Sequence, residues 1–337
     1  MTKTTKVASD RAYDDTKTVL PAEFARGVYI QHAPSAQALK LMHLMIAVAG
    51  GRMAEDVMHE IKGADIRGIK GIRKHSKESL VPLFAEIRAV TVIYDDTLTK
   101  QVTIGGFLDT AKVDYRYDDH GEIKVRWWFS RSFRETAADS THWAIMDRQT
   151  VFALRSKYAI QLFQHIASRT GQQFKSSERF SVHSLRAILA VPEGKLMRFA
   201  DLNRRALSPA IDEINQLSRF TLSVRPIMDG RYIDEVEVSW EEKADATPAK
   251  RELDRPKAGR KARRDGSAET VAAGFPASGS IEFDEHWKAL KRAAGCNMDN
   301  AMIAEKFRAW CAGKSLSLDA QNIEQAFSSF CAKVGRV

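Results

Sequence analysis

No apolar run among these 337 residues approaches the roughly 20 needed to cross a bilayer, which excludes a helical membrane span. Residues 1–19 are rich in Thr, Lys and Asp and hold no apolar stretch of secretory type. They predict a disordered tail on a chain that stays in a bacterial cytoplasm. Cysteine is scarce: Cys296, Cys311 and Cys331 lie far apart, with no Cys-x-x-Cys pair and no fourth partner for a zinc site, and predict buried thiols in a reducing compartment. What is present is ordinary for a soluble globular protein, with 44% hydrophobic and 28% charged residues and length enough for about two domains. The net charge of +9 calls for an anionic partner, and a membrane surface or RNA would satisfy that requirement as well as DNA.

The periodicity falls into two similar series. In the first, Ser35 caps a helix carrying Ala38, Leu41, Met42, Met45, Ile46 and Ala49, a less regular helix spans 54–61, and a third runs over 76–88 after a Gly-punctuated basic stretch at 63–75. Strands at 90–94, 101–117 and 122–129 follow, the last two joined by a turn at 118–121. In the second, Ser156 caps a helix with Ala159, Leu162, Phe163, Ile166 and Ala167 on one face, and Ser181 starts a shorter one. The turn Pro192-Glu193-Gly194 leads to a long third helix over 199–217, and strands at 220–227 and 232–240 meet at Asp229-Gly230. The third helices share a pattern at a constant offset of 127: Leu80, Pro82, Glu86 and Ile87 against Leu207, Pro209, Glu213 and Ile214.

Helix, helix, helix and hairpin is the order of a winged helix. The expected fold is therefore α+β: two tandem winged-helix domains at 20–140 and 141–243, a flexible basic linker at 244–280, and a small all-α segment at 281–337. The linker assignment rests on residues 250–264, which hold eight basic residues and one large apolar side chain, Leu253. In the C-terminal segment Phe283, Trp287 and Leu290, then Ile303, Phe307 and Trp310, then Ile323, Phe327 and Phe330 mark three amphipathic helices.

A third helix of this kind enters the DNA major groove, so its solvent face must carry groups for phosphates and base edges. Around the axis, Leu202, Leu207, Ala210, Ile214 and Leu217 fall together, and Arg204, Arg205, Ser208, Asp212 and Asn215 fall opposite. With Lys195 and Arg198 in the approaching turn, that face offers forked donors for guanine and charge for phosphate. An ordinary solvated face is the alternative, and Asp212 suits it better. In the first series Lys70, Arg73 and Lys74 precede Ser76 and Lys77 at a helix start, an arrangement for gripping phosphate. Arg225 and Arg231 on the second hairpin reach toward the backbone or minor groove, or serve solubility.

The run Arg204-Arg205-Ala206-Leu207, the segment Ala210-Ile211-Asp212-Glu213-Ile214-Asn215, Gly230-Arg231 and the strand Val236-Glu237-Val238 resemble the second winged helix of plasmid Rep initiators of the theta-replicating, iteron-bearing class. Upstream, Ser156-Lys157-Tyr158 through Leu162-Phe163 is similar to that domain's opening helix. The resemblance spans roughly residues 20–243 and is stronger in the second series; Asn203, Pro82 and Pro209 depart from the motif. It implies monomers that bind directly repeated iterons in double-stranded origin DNA, help melt an adjacent AT-rich segment, and recruit the host initiator DnaA and the replicative helicase. It also implies homodimers, joined through the first domain, that repress their own gene at an operator inverted repeat. Arg204 and Arg205 match the family's base- and phosphate-contacting arginines.

No catalysis, cofactor or metal is expected. The nine histidines contain no His-x-His of the kind a nicking initiator needs. Gly313-Lys314-Ser315 imitates the end of a P-loop without its first glycine, Arg308 standing in that place. The pairs Asp95-Asp96 and Asp118-Asp119 fit turns better than metal binding, and Arg126-Trp127-Trp128-Phe129 fits a packed strand better than a stacking platform. A transcriptional repressor using the same two domains, and a metal-dependent nuclease, stand as the alternative readings.

Overall fold

The computed structural model describes residues 8, 10–12, 14–26, 28–29, 34–68, 77–96, 100–115, 123–170, 176–230, 232–255, 257–266, 274–314, 316–320 and 323–334. They form two compact units, residues 1–257 and 258–337. Among the described residues no helix is long and apolar enough to cross a membrane.

The first unit opens with strand β1 (Lys17–Pro21), helix α1 (Ala22–Arg26) and the short β2 (Val28–Tyr29). Residues 17–19 therefore do not belong to a disordered tail: Val19 and Leu20 are buried, and β1 pairs antiparallel with Trp143–Asp147. Helix α2 (Ala36–Ala49) is capped as expected, Ser35 Oγ accepting the Ala38 N–H at 3.2 Å. The expected helix at 54–61 is instead a 3-10 turn (Gly50–Ala54) and strand β3 (His59–Lys62). His59 and Ile61 are buried while Glu60 and Lys62 are exposed, a period of two that the short segment concealed.

Helices α3 (Gly63–Gly68) and α4 (Lys77–Arg88) follow, the latter with Pro82 inside it and facing solvent. Next come β4 (Thr91–Asp96), β5 (Gln101–Gly106), β6 (Leu108–Asp114) and β7 (Lys124–Phe129). The single strand expected at 101–117 is thus two strands in different sheets, ordered β2-β4-β5 and β3-β7-β6. Gly105, Gly106 and the buried Phe107 stand at the break. At Gly105 a Cβ would come within 2.2 Å of Ser132 Oγ, and the Phe107 that follows drives into the core. Its ring packs 4.6 Å from Phe133, which also lies 4.8 Å from Phe129 and 5.0 Å from Phe24. Trp127 and Phe129 are buried on β7, as a packed strand requires, and Arg126 pairs with Glu60 at 2.6 Å. The turn at 118–121 lies outside the described residues.

Helix α5 (Arg131–Asp139), β8 (Trp143–Asp147) and α6 (Arg148–Ala153) had no counterpart in the sequence reading. They stand between the two series. The β1–β8 pair spans the boundary drawn at 140/141, and one continuous apolar core extends through both series. The second series then unfolds nearly as read: α7 (Lys157–Ala167) capped by Ser156, β9 (Ser177–Ser181), α8 (Val182–Ile188) capped by Ser181, a long third helix over 199–217, and the hairpin β10 (Phe220–Asp229) and β11 (Tyr232–Glu242). Strand β9, missed from the sequence, adds to β11 and completes a three-stranded wing sheet.

The duplication is visible in a shared hydrogen-bond device. Glu213 of the third helix accepts the Arg155 and Ser156 N–H groups at 2.9 and 3.2 Å, holding the start of α7. Glu86 of α4 does the same for α2, accepting the N–H of Ser35 and, at 3.0 Å, its hydroxyl. In both series a third-helix glutamate therefore clamps the capping serine of the first helix.

Where the two series meet, the contact is polar as well as apolar. Lys40 Nζ donates to the Phe152 carbonyl at 2.7 Å, and Arg26 donates to Ser168 Oγ and O at 2.9 and 2.6 Å. His43, 1% exposed on α2, takes an N–H from Gln164 of α7 on Nε2 at 2.6 Å, leaving Nδ1–H to face Thr18 Oγ1 at 3.1 Å. Burial holds this imidazole's pKa down at about 4 against an ordinary 6.5, so it is neutral in the fold. Its contribution to stability is complete above the unfolded pKa and is lost as pH falls from 6.5 toward 4. Denaturant titrations at pH 7 and pH 5 are expected to differ by about 2 kcal/mol on account of His43, and a His43→Gln variant should lose most of that difference. Equal pH dependence in the variant would remove His43 as the cause.

The segment expected as a flexible linker is partly built in. Helix α11 (Thr247–Asp254), opened by a Pro in its first turn, buries Ala249 and Leu253, and Leu253 joins the first unit's core. In the second unit, α12 (Arg260–Arg264) precedes α13 (Glu285–Ala293), α14 (Asn300–Gly313) and α15 (Ile323–Val334). Their core starts before residue 281: Phe275 packs 4.7 Å from Phe307 and 4.9 Å from Trp287. Cys296, Cys311 and Cys331 are buried free thiols within it, and burial, then Cys296, pushes the Cys331 thiol up to about 12. Phe283, assigned above to a buried stripe, is 100% exposed because α13 begins two residues later. Gly313 and Lys314 close α14 in a helical context.

Candidate nucleic-acid interface

The long third helix is not uniform. It runs as α9 (Phe199–Leu202), a π-turn (Asn203–Leu207) and α10 (Ser208–Leu217). Pro209 explains the interruption. A proline has no N–H to give, and its ring crowds the carbonyl four residues back, so a normal turn is blocked there. The Ser208 N–H reaches instead to the Asn203 carbonyl, five residues back, and Pro209 then opens α10 where a missing N–H costs nothing. The chain absorbs the proline without breaking the rod.

That wider turn sets which side chains face out. Ala206 and Leu207 both point inward with Leu202, Ala210, Ile214 and Leu217, all at most 1% exposed, whereas Arg204 and Arg205 project side by side. Their side chains are 71% and 62% exposed, and Asp201 holds both from the preceding turn, its Oδ1 lying 3.0 Å from Arg204 and 3.8 Å from Arg205. Asp201 was missed in the sequence, although acid at i with arginine at i+3 and i+4 is the spacing that places such groups together. Ser208 is half-buried at the end of the π-turn, and Pro209 and Asp212 are exposed.

Asn215 departs from expectation. It is half-buried and turned to the wing, its amide donating to the Leu222 carbonyl at 2.9 Å and accepting the Leu222 N–H at 2.7 Å. Two of the residues that carried the resemblance, Glu213 and Asn215, therefore brace the fold.

The approach to the helix is rigidly tied. Ala190 and Leu196 have positive φ (52° and 48°), as does Gly194 (72°). Such backbone costs about 1–3 kcal/mol at a residue other than glycine and persists only when the surroundings fix it. Lys157 Nζ donates to the Ala190 carbonyl at 3.2 Å and Arg186 donates to the Leu196 carbonyl. The result is an exposed run of Lys195, Met197 (67%) and Arg198 leading directly into Phe199.

On the wing, Arg225 is exposed and paired with Glu237 across the hairpin at 2.6 Å, while Arg179 of β9 reaches the same carboxylate at 3.5 Å. The Arg225 hydrogen bond, with the charges of both arginines, draws the Glu237 carboxyl below its ordinary range. Arg231 lies outside the described residues, as do Lys70, Arg73, Lys74 and Ser76; Lys77 opens α4, and its side chain is not described. Among the described residues no group of three or more His, Cys, Asp or Glu is placed to hold a metal ion.

The described surface thus gathers Lys195, Arg198, Arg204, Arg205 and Ser208 on one helix and its entry, with Arg225 on the adjoining hairpin. Residues 27–167 match the family model described as "Initiator Replication protein, WH1", and residues 181–240 match "Initiator Rep protein, WH2". Among solved structures, the chain is similar to the Pi initiator protein in complex with iteron DNA, at 16% identity and a TM-score of 0.50, covering 68% of this chain and 98% of that one. It is also similar to domains 2 and 3 of RctB, at 14% identity and a TM-score of 0.33, covering 62% of this chain and 81% of that one. No curated protein matches it.

Proposed function

Because the chain belongs to the family of initiator Rep proteins, whose WH1 and WH2 models together match more than half of its residues, we propose that it starts plasmid replication by binding directly repeated origin sequences. The observation that carries this reading is the pair of exposed guanidiniums on the π-widened third helix, which Asp201 meets at Nη2 of Arg204 and Nε of Arg205. Adjacent guanine N7 and O6 atoms, or the phosphates beside them, are the acceptors that such forks fit. The first winged helix contributes backbone contacts, and self-association through it allows the same protein to repress its own gene at an inverted repeat. The host initiator DnaA and the replicative helicase are the partners such an initiator recruits.

DNase protection on DNA flanking the gene tests this. The expected pattern is protection of tandem direct repeats, with the contacts of the two winged helices on each repeat centred about one helical turn, roughly 10–10.5 bp, apart. Protection of a lone palindrome would favour the repressor, and nicking of supercoiled DNA with Mg²⁺ would favour the nuclease.

A further inference from the structure

The second unit, residues 258–337, lies outside both matched regions and has its own core. One of its faces is built unlike the rest. On α14 the buried stripe is Ile303, Ala304, Phe307 and Cys311. Trp310 stands at its border, 36% exposed, stacked on Phe307 at 5.7 Å with the rings 17° apart, and 5.6 Å from Phe330 of α15. An indole flanked by two rings and still more than a third exposed is held in place at little entropic cost.

The charges beside it have one sign. Lys306 precedes Trp310 by one turn, Lys314 follows it by one turn, and Lys333 lies three residues beyond Phe330; all three are exposed. The carboxylates of the two helices point elsewhere. Glu324 is engaged by His286 at 2.9 Å, and Glu305, five residues before Trp310, lies on another side of α14.

From this placement we propose that the Trp310–Phe330 face of the C-terminal unit binds single-stranded DNA, the indole stacking on an unpaired base and the three lysines following the phosphates. Stacking is the deciding feature. In a duplex each base face is covered by its neighbour, so an exposed ring gains most from a strand whose bases are free. A wholly apolar protein surface would be served by Met302 and Trp310 but would leave the three lysines without acceptors. This inference is independent of the duplex site on the third helix.

The test is fluorescence anisotropy of the full chain with labelled oligothymidylate of 20 nucleotides, beside a duplex carrying the target repeat. Trp310→Ala should weaken oligothymidylate binding roughly 5- to 150-fold, the range for loss of one base–aromatic stack, and leave duplex binding unchanged. Trp310→Phe should retain most of the affinity. Because Trp310 also packs, a second variant, Lys306→Gln/Lys333→Gln, alters only exposed groups; it should reduce the slope of log affinity against log salt by about 0.7 for each lysine. The proposal is overturned if the full chain does not bind oligothymidylate. It is equally overturned if neither variant moves that binding, the pattern of a face kept for a protein, or if the loss follows Arg204→Ala/Arg205→Ala instead.

Discussion

Removing both guanidiniums from the third helix, Arg204→Ala/Arg205→Ala, is expected to abolish measurable binding to a target repeat at physiological salt. Each base-reading arginine is worth about 1–3 kcal/mol, so two acting independently contribute about 2–6 kcal/mol, enough to bring specific binding down toward the non-specific level. The side chains are well exposed and make no core contact, so the melting temperature should not move. Binding titrations at two salt concentrations separate the roles. An arginine that reads a base loses discrimination between the repeat and a mutated repeat, whereas one that grips phosphate weakens both alike and lowers the salt slope by about 1. Arg225→Ala should cost less, because Glu237 takes both Nε and Nη2 of Arg225, at 3.1 and 2.6 Å, whereas Asp201 meets each helix arginine at one nitrogen. Unchanged protection of the repeat by the double variant would remove the third helix from the interface.

The second large effect concerns stability. Glu213→Ala should destabilise the protein by about 2–4 kcal/mol in denaturant titration, because it strips the acceptors from two backbone N–H groups at the start of α7. Glu86→Ala removes the equivalent clamp on Ser35 but at a half-buried site, where water can replace the lost acceptor. Its effect should be the smaller of the two. If Glu86→Ala proved the costlier, burial would not be what sets the cost of losing the clamp.

Both predictions rest on residues visible in the sequence, but to different degrees. Arg204 and Arg205 could be placed on the outer face by helical spacing alone, since five apolar positions fix the buried side. Asn215 was placed on the same outer face and Glu213 stood only in the family-like segment beside it; the fold shows them turned toward Leu222 and Ser156. The first series was read less well than the second. Its β3 is four residues long, too short for a period of two to stand out, and the Gly105-Gly106 pair that parts its strands 101–106 and 108–114 is a signal the sequence reading passed over. The helix over 131–139 escaped because its apolar stripe is little more than Phe133 and Ala137.

Local chemistry settled what local chemistry can settle: the capping serines Ser35, Ser156 and Ser181, the apolar stripes of the helices they open and the Asp229-Gly230 turn each act over a few residues, and each is found where the sequence placed it. Tertiary structure decided what depends on neighbours remote in the chain. Strand β1 joined β8 across more than a hundred residues, Leu253 of a basic segment found a core to enter, and Phe283 found none. The physical reason is the same in every case: a side chain carries its own preference for water or for the interior, but whether an interior lies beside it is set by residues that the sequence holds far away.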